Sequence, residues 1–130
     1  MALAFNRVLS TALDTVTINT TASSVGAETD IGDDTIAEQV WLYMTVAGFA
    51  AAPTGNMQGG IQPLHTSSGT LFDDNTGFQV ATVSADAQYD FAWPLASLPR
   101  YWKGVAKNNT NQNTDADAVS LWIEYVAVTA

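Results

Sequence analysis

The chain has 130 residues, enough for one domain with a single core and too few for two. Hydrophobic residues make up 47% of it and charged residues 13%, which excludes a disordered tail and a charge-rich helical protein. A net charge of −9 and the absence of cysteine exclude a basic nucleic-acid surface, disulfides and thiolate metal sites. No stretch reaches the roughly 18 apolar residues of a membrane helix, so we expect neither nucleic acid nor membrane as a partner.

The first thirteen residues form the only candidate for a targeting segment, but Arg7 interrupts their apolar run and no basic region precedes it. We therefore treat residues 1–13 as an N-terminal arm or short edge element and residues 14–130 as the main domain. If the large apolar side chains of the arm stayed exposed to water, each would lose about 1.5–3 kcal/mol of stabilisation from burial. The arm either docks on a neighbouring subunit or folds onto its own domain as a short helix or strand. The four side chains concerned are Leu3, Phe5, Val8 and Leu9.

Two segments carry the clearest strand pattern. Residues 38–49 alternate large side chains on both faces, which predicts a central strand that ends before Pro53. Residues 119–125 place apolar side chains on one face, while Trp122 lies on the other with Ser120 and Glu124. This second face is expected to be covered by a neighbouring subunit or by the arm. Weaker strand signals fall at residues 14–19, 27–31, 60–65, 78–84, 88–95 and 101–108.

About eight short strands separated by turns, with irregular spacing and no repeat, predict an all-β fold. We expect an antiparallel β-sandwich of the jelly-roll type. The asparagine-rich segment 108–114 between the last two strands is polar and low in complexity, which predicts a mobile loop at one end of the domain.

The sequence offers little for catalysis. His65 is the only histidine, and no Gly-x-Ser-x-Gly motif accompanies it, so we do not expect an enzyme. Acidic residues crowd two turns, at residues 28–34 and 73–75, and would supply oxygen ligands for calcium. Neither turn matches the EF-hand loop, and Asp and Asn are common in solvated turns, so we predict no metal and no cofactor.

Tryptophans and a basic cluster are the candidate contact residues. Each tryptophan falls in a predicted strand, which favours burial in the core or at a subunit interface over stacking on sugars. The four tryptophans are Trp41, Trp93, Trp102 and Trp122. The cluster of Arg100, Lys103 and Lys107 indicates either an edge strand protected by lysine or a contact with an acidic patch on a neighbouring copy.

A longer pattern in the C-terminal third resembles small virion proteins of tailed bacteriophages. It consists of Leu98-Pro99-Arg100-Tyr101, a strand ending in Val105-Ala106-Lys107-Asn108, a polar loop, and the final strand from Val119 to Tyr125. The break at Pro53-Thr54-Gly55 fits the same layout. The resemblance implies a β-sandwich subunit present in many copies, such as a capsid decoration or cement protein that forms trimers. It brings no catalytic residues.

We therefore expect a virion structural protein on the capsid surface of a tailed bacteriophage, stabilising the head through self-association as a homotrimer and through contacts with the major capsid protein or another virion protein. The predicted interface combines the four arm residues with Trp93, Trp102, Trp122 and the three basic residues. The alternative is a carbohydrate- or receptor-binding β-sandwich for phage adhesion, using an exposed aromatic side chain. The sequence leaves head, neck and tail locations open.

Overall fold

A computed structural model describes residues 3–64 and 78–129, and within these ranges all regular structure is β. The strands of the described residues are β1 (Ala4–Val16), β2 (Ser23–Val25), β3 (Thr29–Asp30), β4 (Thr35–Val46), β5 (Gly55–Pro63), β6 (Gln79–Val83), β7 (Tyr89–Leu95), β8 (Tyr101–Asn108) and β9 (Val119–Thr129). No helix in the described part of the chain is long and apolar enough to cross a membrane.

The strands form two antiparallel sheets. One sheet has four strands in the order β1-β9-β4-β7, and the other has the order β2-β8-β5-β6 with β3 also beside β8. Strands β2 and β3 lie end to end along β8, opposite Val105–Lys107 and Tyr101–Trp102 respectively, so together they act as one interrupted strand. The result is a double sheet with the connectivity of a jelly roll, which confirms the predicted fold class.

Alternation along the central strands builds the core. Leu42, Met44 and Val46 of β4 point inward, and the inner residues of the paired strand β9, Leu121 and Ile123, lie beside them with no exposed surface. Met57 and Trp102 of the facing sheet are also fully buried in the same cluster. Strand β4 pairs with β9 on one side and β7 on the other, so the predicted central strand is confirmed.

The N-terminal segment is a strand of the sandwich. β1 pairs with β9 from Ala4 opposite Thr129 to Val16 opposite Val119, as the edge of the four-stranded sheet. Register shifts after Thr11 turn both Ala12 and Leu13 toward the core. Of the alternatives drawn from the sequence, residues 4–13 thus form an edge element, and the strand continues past the proposed boundary at residue 13.

Some of the remaining strand predictions match the structure and others do not. The range 101–108 coincides with β8, and the range 88–95 begins one residue before β7. Strand β2 was not predicted, and β5 begins at Gly55, inside the predicted break. Gly55 has a φ of 128°, which a glycine adopts without strain and other residues rarely do.

The predicted mobility of segment 108–114 is wrong. Asn108 is fully buried, and its side-chain amide donates to the carbonyl oxygens of Ile18 and Gln112 at 3.0 and 2.8 Å. Its side-chain oxygen accepts from the backbone N–H and the hydroxyl of Thr110, at 2.9 and 2.7 Å. Thr114, also buried, accepts a 2.9 Å hydrogen bond from the Ile18 N–H. Polar side chains here replace the strand ladder as partners for the backbone.

Two of the sequence candidates lie outside the described residues: His65 and the acidic turn at residues 73–75. In the other acidic turn, Asp30 forms an ion pair with Arg100. Among the described residues, no three Asp, Glu or His side chains are grouped so that they could hold a metal ion.

Candidate interaction surface

The outer surface of the four-stranded sheet is unusually apolar. Cross-strand register places Phe5 of β1, Val128 of β9 and Ile36 of β4 in one row across the sheet, and Leu9, Glu124 and Trp41 in another. Large apolar side chains are therefore side by side in water along three adjacent strands. We call this surface the apolar face; its principal members are Leu3, Phe5, Leu9, Ile36, Trp41 and Trp122.

The exposure of these side chains is high. Leu3, Phe5 and Leu9 are 57%, 67% and 64% exposed, and Ile36 and Trp41 are 63% and 38% exposed. Trp122 lies half-buried at the centre of the face, between Thr11 and Tyr43 on the neighbouring strands. Single exposed apolar residues are normal on a folded protein, whereas a contiguous group on one sheet is typical of an interaction site.

The charges on the apolar face are largely paired within the chain. Arg7 contacts Glu124 at 2.6 Å, and the Tyr43 hydroxyl donates to the same carboxylate at 3.3 Å. Partial desolvation, together with the charge of Glu124, raises the pKa of Tyr43, so its hydroxyl stays protonated as a donor. At the edge, Thr45 donates to Asp90 at 2.8 Å. A partner would thus meet an apolar surface on which the charges of Arg7 and Glu124 are already paired.

The apolar face also contains a depression of about 360 Å³. Leu9, Tyr43 and Trp122 contribute apolar and aromatic surface to its lining, and Glu124 and Asp90 contribute carboxylates. A second hollow, of about 390 Å³, lies at the other edge of the sandwich between Ile61, Pro63 and Pro94, and the described residues of its lining include no acid or base.

The outer surface of the five-stranded sheet is different in character. Lys103 and Lys107 of β8 lie beside Gln62 and Gln58 of β5, so amides and ammonium groups cover its centre. Because β8 pairs with β5 on one side and with β2 and β3 on the other, the interpretation of these lysines as edge protection is wrong. Their predicted role in contacting an acidic neighbour stays a prediction.

Arg100 is engaged inside the chain. Its guanidinium donates to both carboxylate oxygens of Asp30, at 2.9 and 3.3 Å, and its central carbon lies 4.7 Å from the centre of the Tyr101 ring. The Arg100 side chain and then the Gly32 N–H hold the pKa of Asp30 below its ordinary value. This pair joins the start of β8 to the end of β3, which accounts for Arg100 without an external partner.

Three further residues of the predicted interface are buried or half-buried. Trp102 is fully buried, and its indole N–H has no hydrogen-bond partner among the described residues. Including it in the interface is corrected, because its bulk fills the space between the sheets. Trp93 is half-buried and stacks on Phe91 at 5.4 Å, inside the sandwich edge. Val8 is half-buried against the core.

Sequence reasoning missed Ile36 and Trp41 as surface residues. For Trp41 a signal was present, because it shares a face with Tyr43 and Thr45 opposite the buried Leu42. For Ile36 the signal was hidden by a β-bulge between Glu38 and Trp41, where Gln39 adopts a φ of 51°. The bulge reverses the alternation, so a period of two counted from the centre of β4 assigns Ile36 to the wrong side.

Comparison with known proteins shows similarity in fold and none in sequence. No family model matches the chain. No curated protein matches it in sequence. Among solved structures, a chain of turnip yellow mosaic virus is similar with a TM-score of 0.52 and 10% identity, over 98% of this chain and 80% of that one.

Two further structures are similar at lower scores. Dimeric latent PorU from Porphyromonas gingivalis has a TM-score of 0.49 and 11% identity, over 99% of this chain and 13% of that one. The tobacco streak virus coat protein has a TM-score of 0.43 and 13% identity, over 96% and 87%. At 10% identity the turnip yellow mosaic virus chain shows the fold alone, and that fold is the jelly-roll β-sandwich described above.

Proposed function

We propose that this chain is a non-catalytic structural protein of a virus particle, present in many copies and attached to its neighbours through the apolar face. The observation that supports the proposal is that face, where Leu3, Phe5 and Leu9 are at least 57% exposed on the same side of the sheet as Ile36 and Trp41. Burial against another protein would remove this surface from water, at roughly 25 cal/mol per Å².

The fold supports the same proposal by analogy, since a chain of turnip yellow mosaic virus shares it. The more specific role rests on the sequence resemblance of residues 98–110 and 119–125 to small virion proteins of tailed bacteriophages. On that basis we propose a decoration or cement protein on the capsid surface, forming trimers and contacting the major capsid protein.

The direct test is the composition of purified particles. Particles from the virus or host that carries the gene are purified on a density gradient, and copies of this chain are counted by quantitative mass spectrometry against the major capsid protein. A decoration protein should be present at a fixed ratio of many copies per particle. Absence from particles, or a trace amount that varies between preparations, would contradict the proposal.

A matched pair of variants tests the surface. Particles stripped of the protein are incubated with purified Ile36→Lys or Val80→Lys, two changes at exposed apolar positions on opposite sheets. Rebinding should weaken at least tenfold for Ile36→Lys, because a lysine charge would be buried against the particle, and should be unchanged for Val80→Lys. Equal rebinding by the two would show that another surface makes the contact.

A second candidate function, carbohydrate binding, is favoured by one feature. The depression on the apolar face brings Trp122 and Tyr43 together with the carboxylates of Glu124 and Asp90, and an aromatic ring with adjacent acceptors is suited to a sugar ring. Glycan-array binding that is lost in Trp122→Ala, with folding intact, would favour this function. No binding by the parent chain would dismiss it.

A further inference from the structure

The free edge of β1 is long and regular. From Ala4 to Thr11 the strand pairs with β9 at every position without a register shift, which leaves alternate backbone groups pointing away from the sheet. Within residues 3–64 and 78–129, no backbone hydrogen bond is made to this outer side. Such an edge is a template for another strand.

The other sheet edges differ from β1 in ways that oppose pairing. In the four-stranded sheet, β7 contains Pro94, which has no N–H to donate, and the charged Asp90. In the other sheet, β6 has 5 residues, and β2 and β3 have 3 and 2. The 13-residue β1 has no proline or lysine, and its one cation, Arg7, is paired with Glu124. Only β1 lacks the usual protection among these edges.

The second half of β1 is covered within its own chain. Gly26 lies so close to Ala12 that an added Cβ would be 1.9 Å from the Ala12 carbonyl oxygen. A further strand has no access there. The edge available to another chain is therefore residues 3–11, the part that also carries the exposed Leu3, Phe5 and Leu9.

We propose that two copies of this chain pair antiparallel along this edge, about a two-fold axis at Asn6, joining two four-stranded sheets into one continuous sheet. A second copy fits because the segment is complementary to itself in this register. Leu3 lies opposite Leu9 of the second copy, and Phe5 lies opposite Arg7 of the second copy. Cross-strand apolar pairs and arginine beside an aromatic ring both stabilise antiparallel strands.

Registers shifted toward the C-terminal end of β1 are worse on physical grounds. An axis at Arg7 would place the two guanidinium groups directly opposite each other, and like charges in that position destabilise a strand pair. An axis at Val8 would bring Ala12, which Gly26 covers, into the pairing. An axis between two residues would place the outer surface of one sheet on the inner side of the other.

This inference goes beyond the proposed virion role and does not depend on it. A two-fold contact at β1 uses the strand edge and leaves Ile36 and Trp41 on β4, two strands away, free for a different partner. The contact is isologous, so it closes after two copies.

Cysteine cross-linking of the full chain tests the pairing, since the sequence has no cysteine of its own. Opposed Cα atoms in an antiparallel pair are about 4.5–5.5 Å apart, within reach of a disulfide. Under mild oxidation, Asn6→Cys should form disulfide dimers at least tenfold faster than Thr11→Cys. Thr11 is exposed on the same strand, but in the proposed pair it lies far from Thr11 of the second copy. Equal rates, or no dimer from Asn6→Cys, would overturn the proposal.

A charge series separates edge pairing from packing of one apolar face on another. Phe5→Lys combined with Leu9→Lys places three cations on the edge, counting Arg7. This double variant should abolish the Asn6→Cys cross-link and leave the unfolding transition unchanged. Ile36→Lys, equally exposed on the same face but on β4, should leave the cross-link intact. The opposite result, loss with Ile36→Lys and retention with the double variant, would show face packing and refute the pairing.

Discussion

Two segments of this chain reverse the usual relation between polarity and burial. Residues 3–11, which include the first part of β1, carry three exposed large apolar side chains, whereas the asparagine- and threonine-rich segment 108–114 contributes three buried side chains. The polar segment is ordered because almost every buried group in it has a partner. The apolar strand is exposed because no described part of the chain covers its outer face.

The difference teaches that burial in a small sandwich is decided by where the sheet layers lie. Asn108 sits at the end of β8, where the two sheets close against Ile18, and a polar side chain there can replace missing backbone partners. Leu9 sits on the side of its sheet that faces away from the core. The described part of the chain therefore folds without burying Leu9.

The largest expected effect is at Asn108. Asn108→Ala removes four hydrogen bonds and leaves the Thr110 N–H buried without its partner, so we expect a loss of about 3–4 kcal/mol in the free energy of unfolding. Urea unfolding measures it. Asn111→Ala, which removes one exposed hydrogen bond to Thr54, is the matched control and should cost under about 1 kcal/mol. A similar cost for both would mean that segment 108–114 is not held as described.

Two leucines of β1 provide the next test. Leu13 is 4% exposed and Leu9 is 64% exposed. Leu13→Ala should lower the free energy of unfolding by about 2–3 kcal/mol, because it leaves a cavity, while Leu9→Ala should change it by less than about 0.5 kcal/mol. The same urea titration, run at low concentration, measures both. An equal loss for the two would place the outer side of β1 against the core after all.

The smallest effect concerns the ion pair that joins β3 to β8. Because the pKa of Asp30 is lowered in the folded chain, its contribution is present above the pKa of the unfolded chain and is lost as pH falls through the lowered value. Asp30→Asn should therefore be slightly less stable than the parent at pH 7 and equal to it by about pH 2. Asp34→Asn serves as the control without an ion pair. A stability difference that persists unchanged at low pH would exclude Arg100 pairing as its cause.

The fold was largely predictable from sequence because its central strands alternate over most of their length. Leu121 and Ile123 on one side and Trp122 on the other determine both the strand and its buried face. The surface was less predictable, because a bulge at Gln39 reverses the alternation before it and so conceals Ile36. The ordered segment 108–114 was not predictable either, since its order depends on Ile18, 90 positions away from Asn108.

Amide hydrogen exchange across a range of protein concentrations gives the most direct test of whether the exposed part of β1 is a contact surface. Exchange at residues 4–9 should slow as concentration rises, while exchange at Asn108–Thr114, whose partners lie inside one chain, stays constant. Exchange at residues 4–9 that is independent of concentration would contradict the conclusion that this strand pairs with another copy.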